Sequence, residues 1–309
     1  MDNIICVVGP TASGKTALAI ELAKMLDGEV VSCDSMQIYK HMDIGTAKPT
    51  AEEMQGIPHH MIDIVEPDAD FSVSRYTQMA RPILDDIIAR GKTAIIAGGT
   101  GLYVDALIRG NDFTIPATGH REKLEKQIEA EGLVPLLQQL QEIDPEAAAR
   151  SQNNPRRIIR ALEVYWETGE TITAHNARTQ ALPARYQPIW IGLDFTKRSD
   201  LYARIDRRVE VMLEMGLLQE IEDLLVSGIP EKCTAMQAIG YKEFVDALAG
   251  RCALEDAVAL VQQTSRRYAK RQLTWFRRNE KINWIIRESD TAAEEILARA
   301  RQILRNFDK

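Results

Sequence analysis

Five short, nearly unbroken apolar runs punctuate the chain, at 4–8, 29–33, 93–97, 189–193 and 282–286. They are too short for ordinary helices, and their apolar residues do not alternate with polar ones. Strands covered on both faces read this way. Between most of them the apolar positions recur with helical spacing. Residues 16–26 set Leu18, Ile20, Leu22, Met25 and Leu26 among alanines, and 73–90 carries Met79, Ile83, Leu84, Ile87 and Ile88. Strands alternating with helices predict a doubly wound α/β fold with a parallel sheet.

The alternation stops between about 117 and 188. Helical patterns follow one another there at 121–131, 133–142, 145–150 and 155–168, separated by Gly132, Pro135, Asn153-Asn154-Pro155 and Gly169. Residues 173–187, with His175, Asn176 and Pro183, read as the returning connector. The expected organisation is an α/β core from 1–116 and 188–309, including a long helical region at 197–275, with an all-helical subdomain inserted at 117–187.

Directly after the first apolar run stands Gly9-Pro10-Thr11-Ala12-Ser13-Gly14-Lys15-Thr16, a complete G-x-x-x-x-G-K-T loop opening a helix. This strand–loop–helix context is what a phosphate cradle requires. Glycines let backbone N–H groups converge on an anion, and the helix N-terminus adds its positive end. Lys15 can reach terminal phosphate oxygens. The Thr16 hydroxyl is the expected Mg²⁺ ligand. The fold class is therefore a P-loop NTPase-like parallel sheet flanked by helices.

The 309 residues carry a net charge of −7, with 45% apolar and 27% charged residues, the profile of a soluble globular protein. No apolar stretch approaches the length of a membrane span. The acidic start Met1-Asp2-Asn3 and the short run behind it do not resemble a signal peptide. Four separated cysteines without a C-x-x-C pair argue against a zinc site and fit a reducing cytoplasm. The charge is unevenly spread. Arg150, Arg156, Arg157 and Arg160 meet no acid up to Leu162, and the stretch 265–281 holds seven basic residues against Glu280 alone. Such patches attract a polyanion at short range. Solvated helix faces give the same pattern.

Asp34 closes the second run, at the carboxyl end of a strand, where such sheets bind ligands. It suits a metal ligand, a general base, or a cap on the next turn. Gln37 can offer a donor and an acceptor to an adenine edge. Gly98-Gly99-Thr100-Gly101 ends the third run and places a hydroxyl beside the same cleft. Arg204 and Arg208, four apart on a helix, can clamp a diphosphate. Gly240-Tyr241 and the segment 270–278 mix basic and aromatic residues, as base stacking requires. The spacing is equally compatible with Trp275 and Phe276 in the core.

Taken together, these blocks resemble the bacterial tRNA dimethylallyltransferases over essentially the whole length. The matching blocks are Gly9 to Thr16, Asp34-Ser35-Met36-Gln37-Ile38-Tyr39, 43–49, 98–103, 154–163, 204–212, 239–241 and 270–277. The resemblance implies transfer of a dimethylallyl group from its diphosphate to N6 of adenosine 37, in tRNAs reading codons that start with U. It implies catalytic roles for Asp34, Lys15, Thr100 and Arg204, with Asp34 accepting the N6 proton. Residues 9–16 and Arg208 would hold the diphosphate with Mg²⁺ on Thr16. The anticodon stem-loop would meet Asp34, Ser35, Met36, Gln37, Thr100, Arg121, Arg156, Arg157, Ile158, Ile159 and Arg160. Further contacts would come from Gly240, Tyr241, Lys270, Arg271, Gln272, Trp275 and Arg277. A cytoplasmic monomer without an obligate protein partner is expected.

Overall fold

A computed structural model describes residues 3–110 and 119–307. The expected boundary at 116–117 lies outside the described residues. Two compact units result, one from Met1–Gly110 with Tyr186–Lys309 and one from Asn111–Arg185.

The first unit is built on a six-stranded parallel sheet. Its strands are β1 (Ile4–Val8), β2 (Gly28–Ser32), β3 (His59–His60), β4 (Thr93–Gly98), β5 (Ile189–Phe195) and β6 (Ile282–Arg287), in the order β3-β2-β4-β1-β5-β6. The helices of this unit are α1 (Lys15–Met25), α2 (Ala51–Met54), α3 (Val73–Ala89), α4 (Gly101–Arg109), α10 (Arg198–Glu214), α11 (Leu217–Val226), α12 (Tyr241–Leu248), α13 (Leu254–Phe276) and α14 (Ala293–Phe307). The helices numbered between α4 and α10 belong to the second unit. β1 shows why its run is unbroken. Ile4, Cys6 and Val8 pack into one core, and Ile5 and Val7 into another. β3 went unread because two histidines at a sheet edge make no apolar run.

Glu29 of β2 is 4% exposed and fully partnered. Its carboxylate accepts from both Arg90 terminal nitrogens at 2.6 and 2.9 Å, and His60 Nε2 lies 2.8 Å away. Chiefly through Arg90, its pKa is held down at about 2. The unfolded chain therefore binds more protons below pH 4.5, so this stabilisation is present above that pH and fades toward pH 2. Glu29→Gln is expected to cost about 2 kcal/mol at pH 7, less than a fully buried pair because Arg90 is 39% exposed. Denaturant midpoints at pH 7 and pH 3 should show the gap between the two proteins narrowing with acid. A gap independent of pH would contradict the ion-pair explanation.

The second unit consists of α5 (His120–Glu131), α6 (Val134–Ile143), α7 (Pro145–Ser151), α8 (Pro155–Thr168) and α9 (Ile172–Ala181). Leu124, Leu136, Leu140, Ile158 and Leu162 form its core. The segment expected as a connector at 173–187 is helical through Ala181. Few large apolar residues mark α9. Its start is fixed by the Thr171 cap and by Asp144, which accepts from the Thr173 amide and hydroxyl at 3.0 and 2.8 Å.

Candidate active site

Three loops at the carboxyl ends of β1, β2 and β4 meet in the first unit, where ligands of parallel sheets bind. They border a cavity of about 350 Å³. Thr11, Lys15, Thr16, Asp34 and Arg208 contribute polar groups to its wall. Ile205, Val209, Met212, Leu217 and Val261 make another part of the wall apolar.

Among the described residues neither Lys15 nor Arg208 there has a direct ion-pair partner. Lys15 Nζ donates to the Pro10 carbonyl at 2.6 Å. Burial, with Arg208 nearby, pulls its pKa down to about 7, and Asp34 only partly opposes this. Burial also lowers the Arg208 pKa, against the pull of Asp34 and Glu53. Arg208 makes no hydrogen bond or ion pair among the described residues, and the Ser13 hydroxyl is buried without a partner. Lys15 and Arg208 both line the cavity, where a bound anion would answer them. Arg204 does not share that position. Its Nε donates to the Ala12 carbonyl at 3.1 Å and its guanidinium lies 5.8 Å from the Phe195 ring centre, so it braces the loop instead of lining the cavity.

Asp34 is both a cap and a cavity residue. Its Oδ1 accepts from the Met36 amide at 2.8 Å and more weakly from Gln37 at 3.4 Å. Thr100 is not part of the cavity wall. Its Oγ1 accepts from the Ser35 amide at 3.2 Å and thereby steadies the segment carrying Asp34. The Gln37 amide is engaged within the protein, accepting from Ser32 at 2.9 Å and donating to the Ala47 carbonyl at 3.1 Å. It lines the cavity itself and holds the neighbouring wall formed by Gly45, Thr46 and Ala47.

That wall has an anchor with no local signature in the sequence. Glu220 accepts from the amides of Asp43, Ile44 and Gly45 at 2.8, 2.7 and 3.1 Å, and from the Tyr241 hydroxyl at 2.6 Å. Tyr241 is fully buried and so is no RNA contact. Gly240, its neighbour, does line the cavity.

Other expected RNA contacts also move inward. Ile158 and Ile159 are buried in the core of the second unit. Trp275 Nε1 donates to Asp105 at 2.9 Å, and its ring lies so close to Gly101 that a Cβ there would sit 2.2 Å away. Gln272 is 5% exposed. Ion pairs occupy Arg121 and Arg160, both on Glu163, and Arg277, which meets Asp194 at 2.9 Å. Arg156, Arg157, Lys270 and Arg271 stay exposed. Tyr268, not singled out in the sequence, lines the cavity beneath Arg271, whose guanidinium lies 5.5 Å from its ring centre.

A phosphate loop on a central parallel strand, opening on a cavity with apolar walls, defines an α/β phosphate-binding-loop protein with room for a non-polar group beside the phosphates. Residues 37–279 match the IPP transferase family model, and residues 2–69 match that of isopentenyl transferase. The chain is 46% identical to a tRNA dimethylallyltransferase of Acetivibrio thermocellus, with 99% of each covered. Another, from Caldanaerobacter subterraneus, is 49% identical with 95% of each covered. Among solved structures, the tRNA isopentenylpyrophosphate transferase of Bacillus halodurans superposes with a TM-score of 0.75 at 42% identity, covering 99% of this chain and 96% of that one. A eukaryotic dimethylallyltransferase acting on tRNA gives a TM-score of 0.81 at 29% identity, covering 98% of this chain and 79% of its own. The chain belongs to the IPP transferase family.

Proposed function

We propose that this protein transfers the dimethylallyl group of dimethylallyl diphosphate to N6 of adenosine 37 in tRNAs reading codons that start with U. The products are N6-isopentenyladenosine and diphosphate. The observation carrying this reading is the cavity, where unpaired cations, a strand-end carboxylate and an apolar wall occur together. Lys15, Arg208 and the amides of the 9–16 loop take the diphosphate. The apolar wall takes the five-carbon group and excludes water from it. The allylic C–O bond breaks and its electron pair leaves with the diphosphate. Adenosine N6 forms the new C–N bond and its proton passes to Asp34. Fixed positive charge aimed at the departing oxygens supplies most of the acceleration. The base must leave its stack to enter.

Among the described residues no cluster of three acidic, His or Cys side chains could hold a metal alone. Thr16 and Asp34 on one cavity suit a hard cation that arrives with the diphosphate and keeps some of its water, as Mg²⁺ does. Mg²⁺ would add charge neutralisation on the leaving group. Among the described residues no helix is long and apolar enough to cross a membrane. We place the reaction in the cytoplasm, carried out by a single chain without an obligate protein partner. Labelled dimethylallyl diphosphate offered to bulk tRNA, to AMP and to no acceptor should label tRNA alone. Label in AMP, or phosphate transfer from ATP, would contradict the reading.

Arg156 and Arg157 begin α8, and Lys270 and Arg271 lie on the exposed side of α13. These are the proposed RNA phosphate contacts. Replacing Arg156 and Arg157 by alanine should lower the slope of log affinity against log salt for an anticodon stem-loop, by about 0.7–0.9 per lost contact. Affinity for diphosphate should not change. An unaltered slope would return both arginines to solvent.

A further inference from the structure

α13 has two working faces. Its exposed side bears Lys270 and Arg271, and its inner side bears Tyr268 and Gln272, one turn apart. Gln272 Oε1 accepts from the Thr11 amide at 2.8 Å, and its Nε2 donates to the Gly99 carbonyl at 3.0 Å. Thr11 belongs to the phosphate loop after β1. Gly99 belongs to the turn after β4. A Cβ at Gly99 would lie 2.1 Å from Nε2, so the backbone there leaves room for this amide and nothing more. Tyr268 lines the same cavity as Gln272, and the turn runs on from Gly99 into Thr100. Thr100 in turn holds the Ser35 amide, next to Asp34. One buried side chain therefore ties the phosphate loop to the turn that steadies the carboxylate segment. Each end of the amide has one matching partner, so a flipped amide would set donor against donor and acceptor against acceptor.

We propose that Gln272 is a positioning residue for prenyl transfer, which fixes the distance between the diphosphate loop at Thr11 and the Gly99–Thr100 turn supporting Asp34. The proposal rests on the prenyl-transfer reading above. Both halves of the reaction must hold their separation for in-line attack, and a displacement of about 1 Å can cost on the order of 10²-fold in rate.

The test uses the full-length protein carrying Gln272→Met, which keeps the bulk and removes both hydrogen bonds. A second variant, Gln272→Asn, keeps the neutral amide but is one methylene shorter, so it cannot span both Thr11 and Gly99. In the Met variant kcat per folded molecule should fall roughly 10- to 100-fold. Inorganic diphosphate should bind roughly five- to tenfold more weakly, the value of about one neutral hydrogen bond. The Thr11 amide should exchange with solvent faster. Stem-loop affinity should stay within about twofold of wild type, a difference too small to count as a lost contact. The Asn variant should show the same direction of change in kcat and diphosphate affinity with a smaller loss, and it carries the test alone if the Met variant does not fold. Weakened stem-loop binding with unchanged kcat would overturn the proposal and make Gln272 an RNA contact. A lowered melting temperature with kcat and diphosphate affinity intact would also overturn it, leaving an ordinary core amide. Failure of the wild type to prenylate tRNA would count against the prenyl-transfer reading instead. Gln272 would then be judged by diphosphate affinity and Thr11 exchange, and unchanged values of both would overturn the proposal.

Discussion

Lys15→Ala is expected to lower prenyl transfer by on the order of 10²-fold or more while leaving stem-loop affinity near wild type. The ammonium belongs to the phosphate loop, and its charge matters most when the allylic C–O bond breaks. Its pKa adds a signature. Ligand-free Lys15 titrates near 7, because burial and Arg208 disfavour its charge. A bound diphosphate favours that charge, so binding takes up a proton at pH values above 7. Relative to Lys15→Ala, which shares the titration of the ligand itself, wild-type diphosphate affinity should decline as pH rises through 7 and beyond. Stability moves the other way. The unfolded lysine titrates near its ordinary 10.5, so between pH 7 and 10.5 the unfolded chain binds more protons. Lys15 therefore costs the empty protein stability below pH 7, and the cost fades as pH rises through that window. Lys15→Ala should accordingly raise the melting temperature of the ligand-free protein at pH 7. Titration calorimetry with inorganic diphosphate between pH 6 and 9 checks the binding half. A ratio of wild-type to Lys15→Ala affinity independent of pH would contradict it.

Asp34→Asn is expected to cut turnover by about 10²- to 10⁴-fold, the range for a lost general base. The substitution preserves the local fold for a specific reason. The oxygen that caps Met36 is retained in asparagine, so the turn into Ser35 and Gln37 keeps its hydrogen bond. Basicity alone is removed. Single-turnover rates and stem-loop affinity separate the outcomes: a slow chemical step with normal binding identifies the base. Collapsed binding with a normal chemical step would make Asp34 a binding residue.

The sheet was readable because its strands are covered on both faces, and β1 announces this at every position. The phosphate loop was readable because its residues are consecutive and their spacing is itself the mechanism. Asp34 could be picked out by its place at the end of β2. Residues whose role depends on partners far along the chain were not readable. Glu220 is one acid among several on an amphipathic helix, and the four groups it binds come from residues 43–45 and 241. Basic and aromatic residues interleaved on α13 look alike whether they face outward or inward. Trp275, expected on RNA, lies against Gly101, and Gln272 lies against Gly99, where it lines the cavity. The same ambiguity misplaced Ile158 and Ile159, which follow two exposed arginines yet fill the core of the second unit. Arg204 and Arg208 share a helix face by spacing, but only Arg208 reaches the cavity wall.

Prenyl transfer in this cavity is tested most directly by the chemical fate of the label. The wild-type protein is incubated with labelled dimethylallyl diphosphate, Mg²⁺ and an anticodon stem-loop, and the RNA is digested to nucleosides. All transferred label is expected in one nucleoside, adenosine substituted on N6, with one diphosphate released per group transferred. Label appearing as free prenyl alcohol, on another nucleoside, or not at all on the RNA would contradict the assignment of the cavity to prenyl transfer.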